Sequence, residues 1–148
     1  MRGFTLIEAL LVVAIMAVLA LAAPALLASR GVRDVLNAEV QKAADTLYEA
    51  RNSAMTGRGN ARQGVHFTST TFTLFQGSSF NPADPDNVVR TMPGSVTAST
   101  ISISGGGADI IFASSKGIPV QTGSIIFTDN GNNSRTVSVN AVGMISVQ

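Results

Sequence analysis

Gly3-Phe4-Thr5-Leu6-Ile7-Glu8-Ala9-Leu10-Leu11 opens a stretch that carries no further charge until Arg30, and the architecture turns on how that stretch is read. The 21 residues between Glu8 and Arg30 are mostly Ala, Leu and Val, long enough to cross the hydrocarbon core of a bilayer as a helix. Their concentration in one segment also explains the composition. A chain of 148 residues that is 45% hydrophobic and 13% charged, with a mean hydropathy of +0.31, is unusually apolar for one small soluble domain. The rest of the chain is rich in Ser, Thr, Gly and Asn. The absence of Cys excludes a disulfide framework, thiolate zinc sites and cysteine nucleophiles. Ten basic against nine acidic residues leave no charge excess of the kind a dedicated nucleic-acid binder carries.

Glu8 is the anomaly in this stretch. An acid within a membrane-length segment costs roughly 2.5 to 3.5 kcal/mol on insertion scales, so it normally has a partner and a role. Two plainer readings stand beside a functional one. One is a secretory signal cut after the small residues Ala20-Leu21-Ala22, although a carboxylate in the apolar region and Pro24 near the cut suit such a signal poorly. The other is a simple single-span anchor. Charge does not orient the span, because Arg2 precedes it while Arg30 and Arg33 follow closely.

Gly3-Phe4-Thr5-Leu6-Ile7-Glu8 resembles the class III signal of type IV pilins and type II secretion pseudopilins. The resemblance implies cleavage after Gly3 by a prepilin peptidase and methylation of the new Phe4 amine. It also implies storage in the bacterial inner membrane with a cytoplasmic N-terminus, and delivery by an inner-membrane assembly platform. The partners it implies are other pilins or pseudopilins, met through the N-terminal helix, with the head in the periplasm or outside the cell. The chemistry is sensible: glycine lets backbone approach the peptidase closely, and Glu8 would neutralise a neighbour's Phe4 amine in the apolar filament core.

After Ser29 the pattern becomes amphipathic. Val32, Leu36, Val40, Ala43, Leu47, Ala50 and Ala54 share one helical face, opposite Arg33, Asp34, Glu39, Lys42, Asp45 and Glu49, which read as a solvated or subunit-facing surface. The helix is expected to stop at Gly57 or Gly59. Phe4 to Met55 is then nearly continuous, about 78 Å at 1.5 Å per residue, with a kink or melted turn expected at Pro24 and a weak point at Gly31.

Beyond Gly59 short β runs follow at Gly64 to Phe67, Thr71 to Phe75, Val96 to Ile103, Ile110 to Phe112, Ser124 to Thr128, Arg135 to Asn140 and Met144 to Val147. Asp129-Asn130-Gly131-Asn132-Asn133 predicts a hairpin, and Asn81 to Asn87 an exposed loop. The expected fold is α+β, pilin-like. A long N-terminal α-helix, transmembrane in its first half and amphipathic in its second, packs on a C-terminal antiparallel β-sheet head. The expected divisions are a leader at 1–3, a membrane and filament-core helix at 4–29, an amphipathic helix at 30–57 and the head at 58–148. The stretches Leu47 to Met55, Ile111 to Pro119, Ile125 to Thr128 and Arg135 to Gly143 also resemble the GspH/FimT-type subfamily of minor pseudopilins and minor pilins.

No enzyme is expected, since the lone His66 lies in a probable strand without a patterned acid, base or nucleophile. No cofactor is expected. Asp84, Asp86 and Asn87, or Asp129, Asn130 and Asn132, supply the hard oxygen donors calcium takes, but turns demand these same residue types and neither spacing fits an EF-hand loop. Gly105-Gly106-Gly107 reads as a turn. Some FimT-type relatives bind DNA through a C-terminal Gly-Arg-x-Arg pattern. Here the position reads Gly143-Met144-Ile145-Ser146, so those arginines do not carry over, and a structural subunit is expected, with a DNA-binding minor pilin for DNA uptake as the alternative. Arg51, Arg58 and Arg62, with Lys116 and Arg135 scattered beyond, are thin for phosphate neutralisation, and only weak, salt-sensitive binding is expected of them.

Overall fold

The computed structural model describes residues 5–57 and 61–148, and for 21–32 the backbone alone. One helix, α1 (Leu6–Met55), runs for 50 residues. Its backbone is continuous through Pro24, so the melted turn expected there does not form. A proline removes one hydrogen bond and crowds the preceding turn, which a helix accommodates by bending while its neighbours keep their bonds. The helix closes where glycine allows it. Thr56 N–H donates to Asn52 O, and Gly57 takes a φ of +67°, the left-handed cap conformation that costs a Cβ-free residue nothing.

Eight strands follow: β1 (Gln63–Phe67), β2 (Thr71–Gln76), β3 (Val88–Thr91), β4 (Val96–Ile103), β5 (Asp109–Phe112), β6 (Gly123–Asp129), β7 (Ser134–Val139) and β8 (Ile145–Val147). All pairings are antiparallel, in two four-stranded sheets ordered β3-β2-β1-β5 and β4-β6-β7-β8. The architecture is α+β, a helix on an antiparallel head. The division into two sheets and the edge strand β3 add to the expected pattern. β3 has only four residues, three of them exposed, and so lacks the alternation that marks a strand.

The second half of α1 packs against both sheets, chiefly β1, β7 and β8. Leu36, Val40, Ala43, Leu47, Ala50 and Ala54 are all at most 2% exposed. They meet Val65 and Phe67 of β1, Phe72 of β2, Ile110 and Phe112 of β5, and Ile125, Phe127, Val137 and Val139 of β6 and β7 in a single core. One residue departs from the polar face read above: Glu39 is buried, and Lys42 one turn on reaches back to bond its carboxylate at 2.5 Å. Glu39 sits at the margin of the stripe, where the sheet packing closes over it and the long lysine stem supplies the counter-charge. Leu47 lies at the centre of the core with no exposed area. Leu47→Ala is therefore expected to cost about 2 to 5 kcal/mol in urea unfolding, from lost burial plus the residual cavity.

Candidate functional site

From Leu6 to Leu19 the large apolar side chains of α1 stand exposed, none of them in the core of the head. Leu6, Ile7, Leu10, Leu11, Val13, Met16, Val18 and Leu19 are each at least 60% exposed. Leu11, Ala14, Ile15, Val18 and Leu19 line a shallow apolar groove of about 290 Å³, of the kind a second helix fills. Glu8 is the one ionisable side chain between Thr5 and Ala20, standing exposed in the first turn, where a negative charge suits the helix dipole. It has no hydrogen-bond or ion-pair partner among the described residues. Gly3 and Phe4 lie outside the described residues. Among the described residues no helix is long and apolar enough to cross a membrane. The charge-free run read from the sequence continues to Ser29, through positions whose side chains lie outside that description.

On the head, His66 is not isolated. The register of β1 with β5 places Asp109 directly opposite it, and His66 Nδ1 lies 2.6 Å from Asp109 Oδ1. Phe80, from the loop after β2, stacks flat on the imidazole at 4.0 Å between ring centroids and meets Phe75 edge-on at 5.5 Å. Phe75 lies across Gly64, where a Cβ would come within 2.6 Å of its ring, so only glycine fits. This pair corrects the expectation that no acid accompanies His66. Its partners are a carboxylate and a covering aromatic, and among the described residues no nucleophile is bonded to it, so the geometry pins a loop.

In both candidate loops side-chain oxygens accept from nearby backbone N–H groups. Asn81 Oδ1 accepts from Ala83 N–H and Asp84 Oδ1 from Asp86 N–H. Asp129 ends β6 on its inward phase, 4% exposed, and its carboxylate accepts from Gly131 N–H, Asn133 N–H and the Asn133 side-chain amide. Among the described residues no three His, Cys, Asp or Glu side chains gather as a metal site. Burial works to raise the Asp129 carboxyl, but the Asn133 side chain, the Asn133 and Gly131 amides and the Arg33 charge outweigh it and hold the group below its ordinary 3.8. A lowered carboxyl stabilises the fold above its unfolded value and ceases to as the pH falls through the folded one. Asp129→Asn is thus expected to lower the urea midpoint at neutral pH, with the gap to wild type closing below pH 3.8.

Of the candidate arginines, Arg135 stands well apart from Arg51. Arg51 Nε donates to Gly117 O at 3.1 Å, tying the helix end to the segment after β5. Gly143 packs on that same carbonyl with a φ of +81°. Arg62 is exposed at the entry to β1, and Arg58 lies outside the described residues. Arg135 Nε donates to Asn37 Oδ1 at 3.1 Å, 14 residues and about 21 Å along the helix from Arg51. There it lines a cleft of about 310 Å³ with Arg33, Leu36, Asn37, Asn133 and Ser134. Met144 is 57% exposed and Ser146 half-buried.

A family model described as Type II transport protein GspH matches residues 39–143, well over half of the chain. The protein belongs to the GspH family. The Prokaryotic N-terminal methylation motif matches residues 1–24, ahead of that GspH region. Among solved structures the GspH head is similar to the minor pseudopilin EpsH from the Type 2 Secretion System of Vibrio cholerae. The likeness has a TM-score of 0.55 at 13% identity, over 76% of this chain and 95% of that one, and it is a likeness of fold. No curated protein matches. Asn37 and Asp109, which orient Arg135 and His66, escaped the sequence reading because each meets its partner only through tertiary pairing.

Proposed function

We propose that this GspH-family chain is a structural subunit of a type IV pilin-like filament, in the reading favoured here a minor pseudopilin of a type II secretion system. The alternative assembly is a type IV pilus. The observation that carries the proposal is the start of α1 from Leu6 to Leu19, where exposed Leu, Ile, Val and Met surround the single charge of Glu8. Such a surface needs lipid or other helices around it.

In this reading a prepilin peptidase cleaves between Gly3 and Phe4, and the Phe4 amine is methylated. The chain waits in the inner membrane with its head in the periplasm. The assembly platform then packs the helix among those of other subunits, where Glu8 pairs with a neighbour's Phe4 amine. The activity is assembly, without catalysis. Intact mass of the chain from membranes tests the processing step. The expected mass lacks Met1 to Gly3 and gains one methyl, whereas a chain beginning near Ala23 would contradict the proposal.

A further inference from the structure

We propose that the cleft between Arg33 and Arg135 at the base of the head binds the phosphate of an anionic lipid headgroup. The inference rests on the reading above, in which the charge-free part of α1 spans the membrane.

The cleft has the chemistry for an oxyanion. It opens between α1 and the β6–β7 hairpin, and its lining holds two arginines and no acid. Arg33 is exposed and makes no hydrogen bond or ion pair among the described residues, though its charge acts on Asp129. Arg135 donates from Nε to Asn37 Oδ1, and its two terminal nitrogens have no hydrogen-bond partner among the described residues. Arginine forks of this kind match phosphate bidentately. The acid that Arg33 influences, Asp129, is 4% exposed and engaged with Asn133 and Gly131.

Position selects the lipid as the source of the phosphate. The charge-free run ends at Ser29, so Arg33 lies four residues, about 6 Å along the helix, past its end. The headgroup layer extends about 5 to 8 Å beyond the hydrocarbon core. Helical side chains also lean toward the N-terminus of their helix, here toward the membrane. An arginine just outside the span opposes placing the head across the membrane. An anionic headgroup held between Arg33 and Arg135 gives that charge a use on the far side.

The test uses the full chain in detergent, titrated at physiological salt with short-chain phosphatidylglycerol, the matching phosphatidylcholine, inorganic phosphate and duplex DNA. Saturable phosphatidylglycerol binding is expected, several-fold tighter than phosphatidylcholine and not displaced by millimolar phosphate. Arg33→Gln should weaken it about fivefold, and Arg33→Gln with Arg135→Gln further. Asn37→Ala removes the Arg135 bond but keeps both charges, and should bind within about twofold of wild type, which separates lost charge from a disturbed head. Equal binding by wild type and Arg33→Gln would overturn the proposal. Displacement by inorganic phosphate, or tighter binding of DNA, would overturn the lipid assignment and mark the cleft as a site for free or nucleic-acid phosphate. Carbonate extraction tests the underlying reading separately: release of the wild-type chain from membranes defeats the span itself, whatever the titration gives.

Discussion

Glu8→Ala is expected to leave the chain cleaved and stably held in the membrane while reducing its recovery in sheared filaments roughly tenfold or more. In the isolated chain Glu8 is exposed and unpartnered among the described residues, on a surface otherwise made of Leu, Ile and Val. In the proposed filament other helices would close over that surface and bury the carboxylate, which is tolerable only beside a cation. Removing one member of a buried pair costs roughly 3 to 5 kcal/mol, because the other charge is stranded in an apolar medium. Membrane insertion moves the other way and becomes easier, since the intramembrane charge is gone. Glu8→Gln keeps hydrogen-bonding capacity without charge. It should fail nearly as badly if the partner is an ammonium group, and much less if it is a neutral donor. Filaments carrying as much Glu8→Ala as wild type would remove Glu8 from the assembly mechanism.

Gly3→Glu is expected to abolish processing. The residue before the cut must let the peptidase approach the backbone closely, which glycine permits and a charged side chain does not. The variant should accumulate as full-length precursor in membranes, unmethylated and absent from filaments. Its head should unfold in urea like wild type, because position 3 precedes α1 in the chain and the core is built from Leu36 onward. Efficient cleavage of this variant would contradict the assignment of the site.

The features legible in the sequence were those with local or periodic causes. The stripe from Leu36 to Ala54 is buried as its spacing requires, and Asp129 to Asn133 forms the β6–β7 turn its residue types demand. β4 occupies Val96–Ile103, where its pattern of β-branched residues placed it. What escaped depends on neighbours remote in the chain. His66 meets Asp109 across 43 residues, and Asn37 meets Arg135 across 98. No periodicity encodes either pair. Glu39 reads as surface by composition and is buried by the sheets that close over it. β3 is short and exposed, and its pairing with β2 defines it more than its own residues do.

The central claim is that this GspH-family chain works as a filament subunit held by its N-terminal helix. The most direct measurement is mass spectrometry of filaments assembled in cells and isolated by shearing or affinity capture, searching for the N-terminal peptide of this chain. The account predicts a peptide beginning at a methylated Phe4 and retaining Glu8, recovered together with other pilin-like subunits. A chain recovered only outside filaments, or one whose mature N-terminus lies beyond the apolar run, would contradict it.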